Sequence, residues 1–459
     1  MQTTLELSDI RPRYDIVVIG GGPAGCATAA AFADRGANVL VVESNPNAAR
    51  RFAGEWIHPE GARVLESLGL LNGLETRVAG RGFMVFPNDG FGPIRLEYGA
   101  RNKGFACEHE GLVAHLRRGV SSRERVDYAE GIRASRLDGT SVSLSARGAL
   151  RVIGAPLTVV ATGRSAHKLV AEESTATKVS ISLMAGLVVR DTELPFEEFG
   201  HVITGGPGPA LAYRIGQDRV RLCVDVPHDE KRARDPKWIW RSFADVLPSP
   251  LREGVERSLG ETSLHWAANS FRPRRYKTGR GVALVGDAAG VFHPLTAMGI
   301  TMSLLDAEAL SESRSLAVYA ERRASETYVP ELLSNAIYQA FARDDAGTLA
   351  IRDAIFRTWR SSATQRDRTM DLLGAATTRR ADFVRAFSHV AVRAGAEVLF
   401  SDRKSVRDLA GWLRWPWASV HPHRNAMRAR SVTWASPQSW RGNRQDETAT
   451  RIEGVEHVS

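Results

Sequence analysis

The residues able to do chemistry in this chain fall into two glycine-marked clusters far apart in the sequence. The first, Gly20-Gly21-Gly22-Pro23-Ala24-Gly25, follows the apolar run Ile16-Val17-Val18-Ile19 and opens into an Ala-rich stretch from Ala27 to Ala33. Strand, glycine turn and helix in that order are what a dinucleotide pyrophosphate needs. Gly20 allows the tight turn, Gly22 lets phosphates approach the backbone, and Gly25 lets the helix pack on the strand. The first N–H groups of the helix and its positive dipole end then face the phosphates. A second strand, Val39-Leu40-Val41-Val42, ends at Glu43, where a carboxylate can accept both hydroxyls of an adenosine ribose.

The second cluster is Gly286-Asp287-Ala288-Ala289, followed by His293-Pro294-Leu295-Thr296-Ala297-Met298-Gly299. The strand Val282-Ala283-Leu284-Val285 delivers Asp287 into a loop, where its carboxylate can accept a hydroxyl from the ribityl chain of a flavin. A helix starting at Ile300 would turn its N-terminus toward the flavin ring and stabilise the negative charge gained on reduction. Together the clusters predict noncovalent FAD, held by Gly20, Gly22, Gly25, Glu43, Gly286, Asp287, Gly299 and Ile300. His293 reads as an ordinary loop histidine. No Ser/His/Asp triad or metal-ligand cluster is evident, so no metal is expected.

The elements that must position these clusters predict an α/β fold: a Rossmann-like FAD-binding domain, an interleaved antiparallel β-sheet substrate domain and a helical C-terminal region. Residues 14–178 read as the first part of the FAD domain and 276–330 as its second part. Between them, 179–275 reads as strands: Val220, Leu222, Val224 and Val226 alternate with Arg219, Arg221, Cys223 and Asp225, predicting one buried and one wet face. Residues 331–430 read as helical, with Ile337, Tyr338 and Phe341 as a packing stripe, and 431–459 as a disordered tail.

Composition narrows the class. At 459 residues the chain exceeds one core. Three widely spaced cysteines form no CxxC pair and no disulfide framework, which predicts a reducing, cytoplasmic setting. Met1–Arg13 carries Glu6, Asp9 and Arg11 without an apolar core, so no leader peptide is expected. The uncharged run from Ile16 to Ala33 imitates a membrane span, but its glycine turn interrupts it. Net charge is +9, and from Ser401 to Arg430 seven Lys/Arg accompany two acids and Trp412, Trp415 and Trp417. That mixture predicts peripheral contact with an anionic membrane surface. No nucleic-acid partner is expected.

The chain resembles the flavin monooxygenases of the squalene epoxidase type, within the larger group that includes p-hydroxybenzoate hydroxylase. The similarity is collinear from Gly54-Glu55-Trp56-Ile57-His58-Pro59-Glu60-Gly61 through Leu211-Ala212-Tyr213-Arg214-Ile215-Gly216 to His293-Pro294-Leu295-Thr296. It implies that Arg51, with Glu43 and Asp287, contacts the flavin. It also implies a pocket formed by His58, Phe83, Tyr213 and Pro294, with Met84 and Phe86 beside Phe83. Departures are Thr162 in place of the Asp of an Asp-Gly motif, Gly111 in place of a flavin-contacting Arg, and Phe83 and His58 in place of a Tyr and a Gln. The implied reaction uses NADPH or NADH, directly or through a partner reductase, to reduce FAD. Oxygen from O₂ then passes, by way of a C4a-hydroperoxide, into a lipophilic isoprenoid or aromatic-isoprenoid substrate by epoxidation or hydroxylation. Alternatives are a flavin-dependent reductase or dehydrogenase of polyprenyl double bonds and a non-catalytic prenyl-binding relative. The related halogenases carry a Trp-x-Trp-x-Ile-Pro signature that is only half present at Trp238-Ile239-Trp240.

Overall fold

The computed structural model describes residues 4–99, 102–170, 179–228, 230, 232, 234–261 and 263–398. Ile16–Ile19, Val39–Glu43 and Leu157–Val160 are apolar runs buried on both faces, as parallel strands covered by helices must be. They form the centre of a six-stranded sheet in the order Lys277–Thr278, Val282–Leu284, Leu157–Val160, Ile16–Ile19, Val39–Glu43, Val126–Glu130. All neighbours are parallel except the Lys277–Thr278 edge, and Ile16 pairs with both Val39 and Leu157. Helices Pro23–Ala33 and Gly299–Glu312 pack together, so both glycine clusters end in helices on this one sheet. The fold is therefore α/β around a dinucleotide-type sheet.

A seven-stranded sheet stands beside it in the order His265–Phe271, Val179–Arg190, Arg219–Pro227, Ala210–Arg214, Phe199–Ile203, Gly82–Phe86, Ile94–Glu97. Its last two strands come from within residues 14–178, and Gly82–Phe86 joins Phe199–Ile203 in parallel. The two units thus interleave more deeply than a linear division at 178 implies.

Val220, Leu222, Val224 and Val226 pack on helices Pro236–Phe243 and Ser249–Glu261, as their alternation predicts. Trp238 and Trp240 pack against that same core. The opposite face corrects the expectation of a wet surface: Arg221 and Asp225 are 6% and 2% exposed. That face lies over the site and the C-terminal helices, and its charges are buried because each finds a partner there.

Helices Leu316–Glu326, Tyr328–Ala342, Ala346–Ser361, Ala363–Leu373 and Arg380–Val398 complete the molecule. Ile337, Phe341, Phe356 and Trp359 share a core with Leu96 and Val202 of the sheet. The basic run from Ser401 to Arg430 and the tail 431–459 lie outside the described residues. Among the described residues no helix is long and apolar enough to cross a membrane.

Candidate functional site

A cavity of about 730 Å³ runs from the first glycine turn, past the second, to the seven-stranded sheet. At its first end each glycine does one job. Gly20 has φ +113°, and a Cβ there would meet the Ala161 carbonyl oxygen at 2.5 Å. Gly22 borders open space on the cavity, whereas a Cβ on Gly25 would lie 1.8 Å from the Gly20 carbonyl oxygen. Gly25 therefore closes helix against strand and does not line the cavity.

Glu43 is held in place at the cavity wall. One carboxylate oxygen accepts the Gly21 N–H at 2.9 Å, the other the Asn45 N–H at 2.8 Å, and Arg117 Nη2 lies 3.5 Å away. Each oxygen keeps a further lone pair for a hydroxyl. Arg117 is buried and also donates to the carbonyls of Gly21 and Pro46, bracing the turn from helix His109–Ser121. Arg117 belongs to no motif in the sequence. Its readable signal was an arginine on the stripe of Leu112, Val113, Leu116 and Val120.

At the second cluster Gly286 adopts φ +63° and donates its N–H to Asp306 Oδ2 at 2.8 Å. Asp306 is fully buried between Arg274 and Arg323, the latter at 2.8 Å. This ionic cluster fixes the turn that presents Asp287 to the cavity, while Gly286 itself stays behind the wall. The cluster too belongs to no motif, although Asp306 interrupts the apolar stretch Leu304-Leu305-Asp306-Ala307. Burial pushes the nearby Glu331 carboxyl up to about 7, against the lowering effect of Arg274.

Asp287, Arg51, Gly299 and Ile300 all line the cavity, and Asp287 pairs with Arg164 Nε at 3.5 Å. The Thr162 hydroxyl is buried on the same wall without a partner among the described residues. An orphaned donor beside open backbone and a braced carboxylate fits a polyhydroxylated dinucleotide such as FAD.

The far end is mostly apolar, with Trp56, Met184, Leu211, Tyr213, Cys223 and Phe292 on its wall. Pro294 lines the cavity as well. His58 and Phe83 do not: both are buried behind the wall, because the His58 ring is consumed by structure. Its Nε2–H donates to the Thr296 carbonyl at 2.9 Å, so its Nδ1 accepts from Tyr98 Oη at 2.7 Å, and that oxygen accepts from Trp56 Nε1 at 3.1 Å. Burial holds this imidazole neutral, down to about 4. Met84 and Phe86 are likewise absent from the wall.

Two buried polar links join the seven-stranded sheet to the loops around the cavity. Arg221 forks onto Glu55 with both contacts at 2.8 Å. His293, stacked on Tyr338 at 3.7 Å, meets Ser182 Oγ at 3.2 Å and Asp225 Oδ1 at 3.4 Å through its Nε2. Ser182 gives its proton to Asp225 at 2.6 Å. One imidazole nitrogen thus faces both partners and the serine donates away from it, which is a tether, not a nucleophilic triad.

Residues 154–410 match the family model described as squalene epoxidase, and residues 15–83 match that of an FAD dependent oxidoreductase. The chain is 29% identical over 387 residues to a squalene epoxidase of Aspergillus fumigatus, covering 75% of this chain and 78% of that one. It is 26% identical over 376 residues to the squalene monooxygenase of Mus musculus, covering 74% of this chain and 64% of the mouse protein's length. The fold is shared with a p-nitrophenol 4-monooxygenase from Pseudomonas putida, at 18% identity and a TM-score of 0.64 over 83% of this chain and 99% of that one. It is also shared with a flavoprotein/dehydrogenase from Cytophaga hutchinsonii, at 14% identity and 0.70 over 84% and 100%.

Proposed function

The chain belongs to the squalene epoxidase family, and from that membership we propose that it is an FAD-dependent monooxygenase placing one oxygen atom of O₂ into a lipophilic, isoprenoid or aromatic-isoprenoid substrate. One observation carries the reading: a single cavity joins a dinucleotide-type turn, a presented Asp287 and an apolar sheet wall. FAD bound there supplies the redox and oxygen chemistry. The residues of the chain bind, orient and exclude water. Gly22 and the N-terminus of Pro23–Ala33 receive the pyrophosphate, Glu43 the adenosine ribose and Asp287 the ribityl chain. The Gly299–Glu312 helix has no side-chain cap at its N-terminus, so its dipole and free N–H groups are available to an electron-rich ring.

Trp56, Met184, Leu211 and Phe292 give the substrate hydrocarbon contact worth about 25 cal/mol per Å² buried. Arg221 behind that wall is already neutralised by Glu55, so a charged acid gains no counter-ion from it. Reduction draws on NADPH or NADH, directly or through a partner reductase. The test is to purify the protein with its flavin and follow nicotinamide oxidation with candidate substrates. Lipophilic alkenes and prenylated aromatics should stimulate consumption, and polar aromatic acids should not. Stimulation by the acids alone would replace this reading.

A further inference from the structure

Behind the turn Pro294–Thr296 lies a second cavity, of about 30 Å³. Its wall is hydrocarbon from both sides of the core: Phe83, Val85 and Val202 from the sheet, Ile337 and Phe341 from the C-terminal helices, and Leu295 from the turn. Side chains of one short loop divide between the two spaces. Pro294 and Ala297 line the large cavity, while Leu295 and Thr296 line the small one.

A space this size could take one water, but a buried water needs two to four polar partners. The polar groups of this wall are committed elsewhere. The Thr296 hydroxyl donates to Ser334 Oγ at 3.2 Å, and its carbonyl accepts from His58 Nε2 at 2.9 Å. Trp359 Nε1 donates to Thr369 Oγ1 at 2.9 Å. A dry apolar cavity admits small apolar guests instead.

We propose that this cavity is a dioxygen site, holding O₂ one turn of backbone away from the reacting end of the cofactor cavity. O₂ is diatomic and apolar, so it gains contact with this wall and loses no hydrogen bond by leaving water. Water is refused by the same wall, which suits a site that must admit oxygen and stay dry. The proposal rests on the monooxygenase reading for the use made of the oxygen; the cavity's preference for an apolar gas rests on its lining alone.

Val202→Leu adds one methylene to the wall and should fill the space, and Val85→Ile is the second filling variant should the first not fold. Val202→Ala enlarges it. Xenon, an apolar gas probe, is expected to bind in the wild-type cavity under pressure and to be lost from the filled variant. The anaerobically reduced flavoprotein, mixed with O₂ in stopped flow, should reoxidise at least fivefold more slowly in the filled variant. FAD content and Tm should match wild type, and Val202→Ala should keep the wild-type constant. An absence of xenon from the wild type overturns the proposal, and so does bound xenon with equal reoxidation constants. A reduced wild-type protein inert to O₂ would overturn the monooxygenase reading, and this proposal with it.

Discussion

Asp287 and Glu43 are the two carboxylates proposed to retain the cofactor, and they are held in different ways. Glu43 is locked by two backbone N–H groups, whereas Asp287 is met by Arg164 at 3.5 Å on a partly open wall. Asp287→Ala should weaken FAD binding by the worth of a charge-assisted hydrogen bond, roughly 1.5 to 3 kcal/mol or about one to two decades in Kd. Fluorescence titration of the apoprotein measures it, and an unchanged Kd would remove Asp287 from the site. The turn at Gly20, the open backbone at Gly22 and the strand end at Glu43 were legible because each is a local feature. Arg117, Asp306, Arg274 and Arg323 were not, because their partners lie on other elements and only burial reveals them. His58 and Phe83 show the reverse, as positions in a motif say nothing of whether a ring faces the cavity or a hydrogen-bond chain behind it.

At the scale of elements, the Glu55–Arg221 fork ties the sheet to the loop before Trp56–Ile57. Both side chains are almost fully buried, so breaking the pair leaves an uncompensated charge. Arg221→Met alone should cost about 3 to 5 kcal/mol, and Glu55→Leu combined with Arg221→Met should restore most of it. Denaturant unfolding of the single and double variants checks this, and equal losses in both would contradict it. Strand positions and the helical region could be read from periodicity, and so could the apolar face of Arg219–Pro227. The other face of that strand could not, because alternation marks a polar face without saying what covers it. The distant strands Gly82–Phe86 and Ile94–Glu97 also gave no sign of which sheet they would join, since pairing is a nonlocal choice.

For the whole molecule, stability should fall in acid for an identifiable reason. Burial lowers His58, His109 and His201 from the usual 6.5 to about 4. The unfolded chain therefore takes up protons below about pH 6.5 that the folded protein refuses until about pH 4. Stability is full above that window and is lost on descending through it, by up to about 3 kcal/mol per histidine. Tm measured from pH 7 to 4 should drop steeply, and a flat profile would contradict the assignment. Both ring nitrogens of His201 are buried, and the backbone of Phe199 and Ala212 gives them only weak hydrogen bonding. His201→Leu should raise Tm at neutral pH and shallow the acid loss, since an unsatisfied buried polar group costs about 1 to 3 kcal/mol. The basic, Trp-bearing run from Ser401 to Arg430 is expected to bring the protein to anionic vesicles in low salt. A chain ending at Leu399 should then stay in the supernatant, and equal sedimentation of both would remove that role.

Oxygen transfer to a lipophilic substrate is read out by turnover under ¹⁸O₂ with a prenylated or isoprenoid alkene as substrate. The product should carry one labelled oxygen atom for each nicotinamide consumed. A product that gains or loses hydrogen without acquiring label would contradict it and identify a reductase or dehydrogenase instead.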